Sequence, residues 1–285
     1  MILPRAQVAA KRINEVLEPV PAIKDGSLLE GKEGKVGEVE FKNVSFSYPD
    51  AEDSVLENIS FTAKKGETIA LIGATGCGKS TVINLIPRFY DATEGEVLVD
   101  GIDVRQYSQK SLRNKIGYVS QKAILFAGTV RSNIAYGDNG QGPMTDDIVK
   151  QAVETAQAAE FVDQIEQGYD GRVAQGGDNF SGGQKQRLSI ARAVARRPEI
   201  FIFDDSFSAL DYKTDRTLRE ALVRECGDAT RFIVAQRIGT IRDADKIIVL
   251  EDGRIVGMGR HEELIKTCEV YQQIALSQLS KEELA

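Results

Sequence analysis

A chain of 285 residues, 42% apolar and 28% charged, is long enough for one large domain with appendages, while its net charge of −7 argues against a general nucleic-acid surface, which a basic patch or stripe would mark. Three cysteines, Cys77, Cys226 and Cys268, form no CxxC pair and leave an odd count, which argues against a disulfide framework or a zinc site and for a reducing compartment. No apolar run approaches the roughly 18 residues that cross a bilayer, and Met1 leads into a charged segment rather than a signal peptide, so the chain as given is expected to be soluble.

Residues 5–18 place Val8, Ala9, Ile13, Val16 and Leu17 on one helical face, and Pro19 and Pro21 end that helix. Residues 25–37 are charged and Gly-rich, a composition that builds no core; they read as a linker, with the folded domain beginning near Gly37. Val39 and Phe41, then Val44, Phe46 and Tyr48, alternate as strands of an antiparallel sheet, with a change of phase at Lys42 and Asn43 that a bulge would produce. The run 68–72 reads as a buried strand, glycines follow at once, and 80–89 has a helical pattern. Residues 145–168 and 183–197 are also helical in pattern, while 200–203, 232–235 and 247–250 are short apolar strands. The order is α/β with a helical insertion, without internal repeat or low-complexity tract.

Gly73-Ala-Thr75-Gly76-Cys77-Gly78-Lys79-Ser80, followed by Thr81, satisfies GxxxxGK[ST]. In that pattern glycines let backbone N–H groups wrap phosphates, and the following helix turns its positive end towards them. Lys79 would reach the β and γ phosphates and Ser80 would ligate Mg²⁺. Cys77 is read as a small filler rather than a reactive thiol. Residues 199–204 form a hydrophobic strand ending in the carboxylate of Asp204, as holding Mg²⁺ beside a phosphate loop requires. Any buried strand can end in Asp, so this signal gains its meaning from company. Phe180-Ser181-Gly182-Gly183-Gln184 then opens a helical run, with glycines and a serine that offer backbone and hydroxyl donors to an anion.

These pieces, in this order, resemble the ATP-binding cassette of ABC transporters over about residues 37–277. The Walker A loop is at 73–81, the signature at Ser181 to Gln184, the Walker B strand ends at Asp204, and the D-loop is Ser208-Ala-Leu-Asp211. The resemblance implies an α/β fold: a P-loop NTPase with a RecA-like core, an antiparallel β subdomain, and an α-helical subdomain at about 122–197 that carries the signature, all within a cassette of residues 37–285. It implies ATP and Mg²⁺ as ligands. Tyr48 would stack on adenine, Gly73, Thr75, Gly76, Cys77, Gly78, Lys79, Ser80 and Thr81 would hold the phosphates, and Ser80, Gln121 and Asp204 would hold Mg²⁺. Two cassettes would pack head to tail, so Ser181, Gly182, Gly183, Gln184 and Asp211 would face ATP held by the partner. The text around Gln121, through 125–134, looks most like exporters. Residues 1–36 resemble the helix and charged linker that join an exporter's transmembrane domain, missing from this chain, to its cassette. That would put the full-length protein at the cytoplasmic face of the cell membrane.

Two positions depart from the family pattern. The general base after the Walker B Asp is normally Glu and is here Asp205, shorter by about 1.5 Å of reach, where a base must come within about 3 Å of its proton. The switch histidine after Val234 and Ala235 is Gln236, whose amide hydrogen-bonds but cannot become cationic. His261, the only histidine, falls in a different segment and reads as a surface or capping residue. With an intact signature, the chain resembles the degenerate half of a heterodimeric exporter, read in preference to an engineered trap. Its expected partner is a non-identical cassette with Glu and His in place. A homodimeric exporter cassette with slow ATPase, or a soluble ABC ATPase without a membrane partner, are the alternatives.

Overall fold

A computed structural model describes residues 2–18, 21–49, 51, 53–137 and 139–278. The chain opens with α1 (Ile2–Leu17), exposed from Arg5 onward, so the apolar face of Val8, Ile13, Val16 and Leu17 meets solvent. Among the described residues no helix is long and apolar enough to cross a membrane. The polar segment after it does not hang free. Asp25 accepts from the Gln109 N–H at 2.7 Å, Gly26 donates to the Tyr107 carbonyl at 3.0 Å, and Lys32 donates to that of Asp100 at 2.9 Å. Composition that builds no core still carries backbone groups that need partners, and here they find them along the domain.

β1 (Val39–Phe46) pairs antiparallel with β2 (Leu56–Ala63), and its register slips between Phe41 and Val44, with Asn43 in the left-handed region at φ 46°, so the phase change is a bulge. β3 (Thr68–Gly73) leads through the phosphate loop into α2 (Lys79–Leu85). The helical pattern expected to Phe89 stops early because Arg88 turns left-handed at φ 54° and the Phe89 N–H closes back on the Asn84 carbonyl at 3.1 Å. β4 (Glu94–Val99) and β5 (Ile102–Asp103) complete a four-stranded sheet in the order β2-β1-β4-β5. Next come α3 (Gln109–Asn114) and β6 (Ile116–Val119).

The insertion between β6 and the next core strand contains β7 (Gly128–Thr129), α4 (Val130–Ile134), α5 (Asp146–Thr155), α6 (Ala159–Asp163), β8 (Arg172–Val173) and α7 (Gly182–Ala195). The single pattern read over 145–168 is two helices. Gln157 sits left-handed at φ 56°, and the Ala158 N–H reaches the Val153 carbonyl at 2.9 Å while the Gln157 N–H reaches that of Glu154 at 3.0 Å, a Schellman ending without its usual glycine. The core resumes with β9 (Ile200–Asp204), α8 (Tyr212–Glu225), β10 (Thr230–Val234), α9 (Ile238–Ile241), β11 (Lys246–Glu251), β12 (Arg254–Gly259), α10 (His261–Thr267) and α11 (Glu269–Gln278).

Among the described residues six strands form the central sheet in the order β12-β11-β3-β10-β9-β6, parallel except for β12. β9 and β10 are buried at every position, as strands covered on both faces must be. Because β6, β9, β10 and β3 are adjacent and parallel, the segments that follow them leave at one edge, the carboxyl edge where open α/β sheets bind ligands. That shared edge brings residues near 73, 121, 205 and 236 together.

The two sheets and the segment before β1 meet at a buried ionic cluster. Lys115 lies 2.9 Å from Asp100 and 3.0 Å from Glu199, while the Gly37 N–H donates to the other Asp100 oxygen at 2.7 Å. Asp100 is 1% exposed. Removing the cation would strand a buried carboxylate, so Lys115→Ala is expected to cost about 3–5 kcal/mol in urea unfolding. A smaller loss is expected from Lys115→Ala in an Asp100→Asn background.

Candidate functional site

The loop after β3 needs glycine where its backbone is unusual. Gly78 is the N-cap of α2 at φ 98°, and at Gly73 a Cβ would lie 2.0 Å from the Leu250 carbonyl oxygen. Lys79 folds back over this loop, donating to the carbonyls of Gly73 at 2.8 Å and Ala74 at 2.7 Å. Cys77 is buried with its sulfur 3.6 Å from the Lys79 ammonium, so only its backbone can meet a ligand. Ser80 donates to Asp204 Oδ1 at 2.9 Å. Tyr118 donates to Asn84 at 2.9 Å and lies 3.4 Å from Asp204 Oδ2. Burial pushes the Asp204 carboxyl above the usual carboxylate range, against the hydrogen bond from Ser80. It also pushes up the Tyr118 hydroxyl, which therefore stays a donor.

A cavity of about 400 Å³ is lined by Tyr48, Thr75, Gly76, Gly78, Lys79, Ser80, Thr81, Gln121, Asp204, Asp205 and Gln236, with Val55 and Val234. Tyr48 lies hydroxyl to hydroxyl with Thr81 at 3.0 Å, and Phe46 and Tyr90 each pack edge-on against its ring. A single oxygen, Oδ2 of Asp205, accepts from Gln121 Nε2 at 3.1 Å and from Gln236 Nε2 at 2.9 Å. Asp205 itself is 8% exposed and sits left-handed at φ 46°. Its carboxylate is thus short, buried and held by amide donors on both sides.

Ser181, Gly182, Gly183, Gln184 and Asp211 do not line this cavity. Ser181 and Gln184 form a reciprocal capping box at the start of α7, with the Gln184 N–H donating to Ser181 Oγ at 3.3 Å and the Ser181 N–H to Gln184 Oε1 at 2.9 Å. Asp211 caps α8 by accepting from the Thr214 N–H at 3.0 Å, and hydrogen bonding from the Thr214 hydroxyl first, then from this N–H, holds its carboxyl below the usual range. Gly182 borders on open space. His261 is neither a surface residue nor a cap: it is 7% exposed, Arg260 is the N-cap of α10, and its Nδ1 lies 2.7 Å from the Tyr271 hydroxyl. Burial lowers its proton affinity and keeps the pair neutral, with the Tyr271 hydroxyl pushed up to about 12. Sequence reasoning gave no role to Tyr118, Asn84 or Tyr90. Tyr118 stood three residues before Gln121, but its contacts depend on the packing of β6 against α2.

A glycine loop between a buried parallel strand and a helix, with a lysine over it and a strand-end carboxylate bonded to its serine, defines a P-loop nucleotide-binding protein. The family model for the ABC transporter matches residues 56–208, just over half of the chain. An uncharacterized ABC transporter ATP-binding protein of Mycobacterium bovis is 48% identical over 280 residues, covering 97% of this chain and 47% of its own length. Multidrug resistance protein 1 of Entamoeba histolytica is 41% identical over 280 residues, covering 96% of this chain and 21% of its own. The structure of a bacterial Atm1-family ABC exporter with ATP bound matches with a TM-score of 0.89 and 33% identity, over 98% of this chain and 48% of that one. The chain belongs to the ABC transporter family and has the fold of its ATP-binding domain. It spans about half the length of the Mycobacterium relative and of the exporter chain.

Proposed function

We propose that this chain is the ATP-binding cassette of an exporter, binding Mg·ATP at a low-turnover site and lending Ser181, Gly182, Gly183 and Gln184 to the ATP of a second, non-identical cassette. Residues 1–36 then belong to the connection with a transmembrane domain, and residues 37–285 to the cassette. Ser80, Asp204 and the Gln121 side-chain oxygen are the hard donors that suit Mg²⁺, and the raised Asp204 carboxyl is a group that a cation would relieve. Bound there, the ion would neutralise phosphate charge. Lys79 gives up two carbonyls for the β and γ phosphates, Tyr48 offers its ring to adenine, and the α2 N-terminus faces the anion. Ile124, Phe126 and Tyr136, 55%, 44% and 53% exposed beside the Gln121 segment, offer an apolar surface to a membrane-domain partner.

The observation that carries the low-turnover reading is the double amide clamp on Asp205. A general base must offer its oxygen to a water within about 3 Å, and this oxygen already accepts from Gln121 and Gln236. Neither amide can take or return a proton at neutral pH. Binding and hydrolysis should therefore separate: the purified chain is expected to bind Mg·ATP at equilibrium while its steady-state ATPase stays near background. Robust turnover by the chain alone would overturn the low-turnover assignment, and failure to bind Mg·ATP would overturn the reading of the cavity.

A further inference from the structure

Gln236 is held in place by an element that the proposed chemistry does not otherwise use. Gln278, the last residue of α11, donates from Nε2 to the Gln236 carbonyl at 2.7 Å and accepts at Oε1 from the Ile238 N–H at 2.9 Å. These bonds straddle Arg237, the N-cap of α9, whose side chain makes no cap hydrogen bond. The Arg237 guanidinium runs instead to the carbonyls of Ser208 at 3.1 Å and Leu210 at 3.4 Å. The leading N–H groups of a helix lack intrahelical acceptors, so a cap supplied from 40 residues away fixes where this loop stands. α11 is itself anchored, since Tyr271 and Ala275 are fully buried and Tyr271 is bonded to His261.

We infer that Gln278 is a positioning residue for the 236–238 loop, setting the Gln236 side chain where it reads the terminal phosphate of a bound nucleotide. The inference rests on the proposal that the cavity binds Mg·ATP with Gln236 towards the γ-phosphate. Its consequence is selective. The Gln236 amide is aligned through its backbone, and the backbone is pinned on both sides of Arg237 by one side chain. ADP lacks the phosphate that Gln236 would meet, so loss of the clamp should fall on ATP and leave ADP unaffected.

The test is equilibrium binding of Mg·ATP and Mg·ADP to the 285-residue chain and its variants. Gln278→Leu is expected to weaken ATP binding about two- to tenfold, the range into which the net contribution of a neutral hydrogen bond converts, with ADP binding unchanged. Gln278→Glu nearly preserves shape and keeps an acceptor for the Ile238 N–H, but it sets a carboxylate oxygen against the Gln236 carbonyl. It should show the same ATP-selective loss and covers the case in which the leucine variant fails to fold. In a Gln236→Ala background Gln278→Leu should have no further effect on ATP. Equal losses for ATP and ADP, no loss from either Gln278 variant, or a full additional loss in the Gln236→Ala background would overturn the positioning role alone. An unsubstituted chain that bound neither nucleotide would overturn the reading of the cavity and this role with it.

Discussion

Gly182→Asp is expected to silence ATP hydrolysis performed on another chain. If the proposed non-identical cassette carries the catalytic site, then in the pair reconstituted with it the substitution should lower steady-state ATPase on the order of 10²-fold or more, the usual cost of spoiling a donor that stabilises transition-state charge. A Cβ at Gly182 meets nothing within 4 Å, so a side chain leaves the backbone into open space, and its effect is expected to fall on what faces the signature. What it brings is negative charge at the α7 N-terminus, where the backbone donors would approach a γ-phosphate. Lys79→Ala should harm turnover less. It weakens holding of ATP at this chain's own cavity, while the partner keeps its own phosphate loop and base. Equal losses from the two variants, or a greater one from Lys79→Ala, would mean that the hydrolytic site lies in this chain's cavity.

The parts of the site that the sequence discloses are those whose chemistry demands unusual residues. A loop that wraps phosphates needs glycine at Gly73 and Gly78, and a strand that ends on a cation needs a carboxylate such as Asp204; both leave a local signal. The convergence of Gln121 and Gln236 on one oxygen of Asp205 leaves none. It arises from the strand order β10-β9-β6, which sequence separation does not encode. The Gln278 clamp is hidden for the same reason, as a glutamine near the end of a helix is ordinary until α11 is seen against the 236–238 loop.

Helix ends leave no sequence signal where a residue other than glycine holds the left-handed position. Arg88 and Gln157 carry no warning of φ values of 54° and 56°, so patterns expected to run to Phe89 and Gly168 end early. His261 illustrates a different limit. Its charge class predicts exposure, yet Tyr271 on the next helix supplies a partner at 2.7 Å that makes burial tolerable. The segment 25–37 was legible as coreless but not as bonded, because composition reports side chains and its contacts are largely made by its backbone.

Repair of the cavity should be cooperative. Asp205→Glu alone lengthens the base, but the longer carboxylate still meets two amides, so little recovery of ATPase is expected. Gln236→His alone frees one of the two bonds to Asp205 and supplies a group that can carry charge, yet the base remains short by about 1.5 Å. Together they restore reach and release at the same oxygen, and positioned acid–base groups typically contribute about 10²–10⁴-fold. The double variant is therefore expected to exceed the product of the single gains by about tenfold or more, since residues acting as a unit are non-additive. Asp205 sits left-handed at φ 46°, and glutamate inherits that backbone, which limits the absolute rate without removing the coupling. The measurement is a double-mutant cycle in ATPase rate, carried out with a partner whose signature is intact. Independent, multiplying gains would show that Asp205 and Gln236 do not act on the same step, and the double amide clamp would then be a packing feature rather than a reason for the proposed slow turnover.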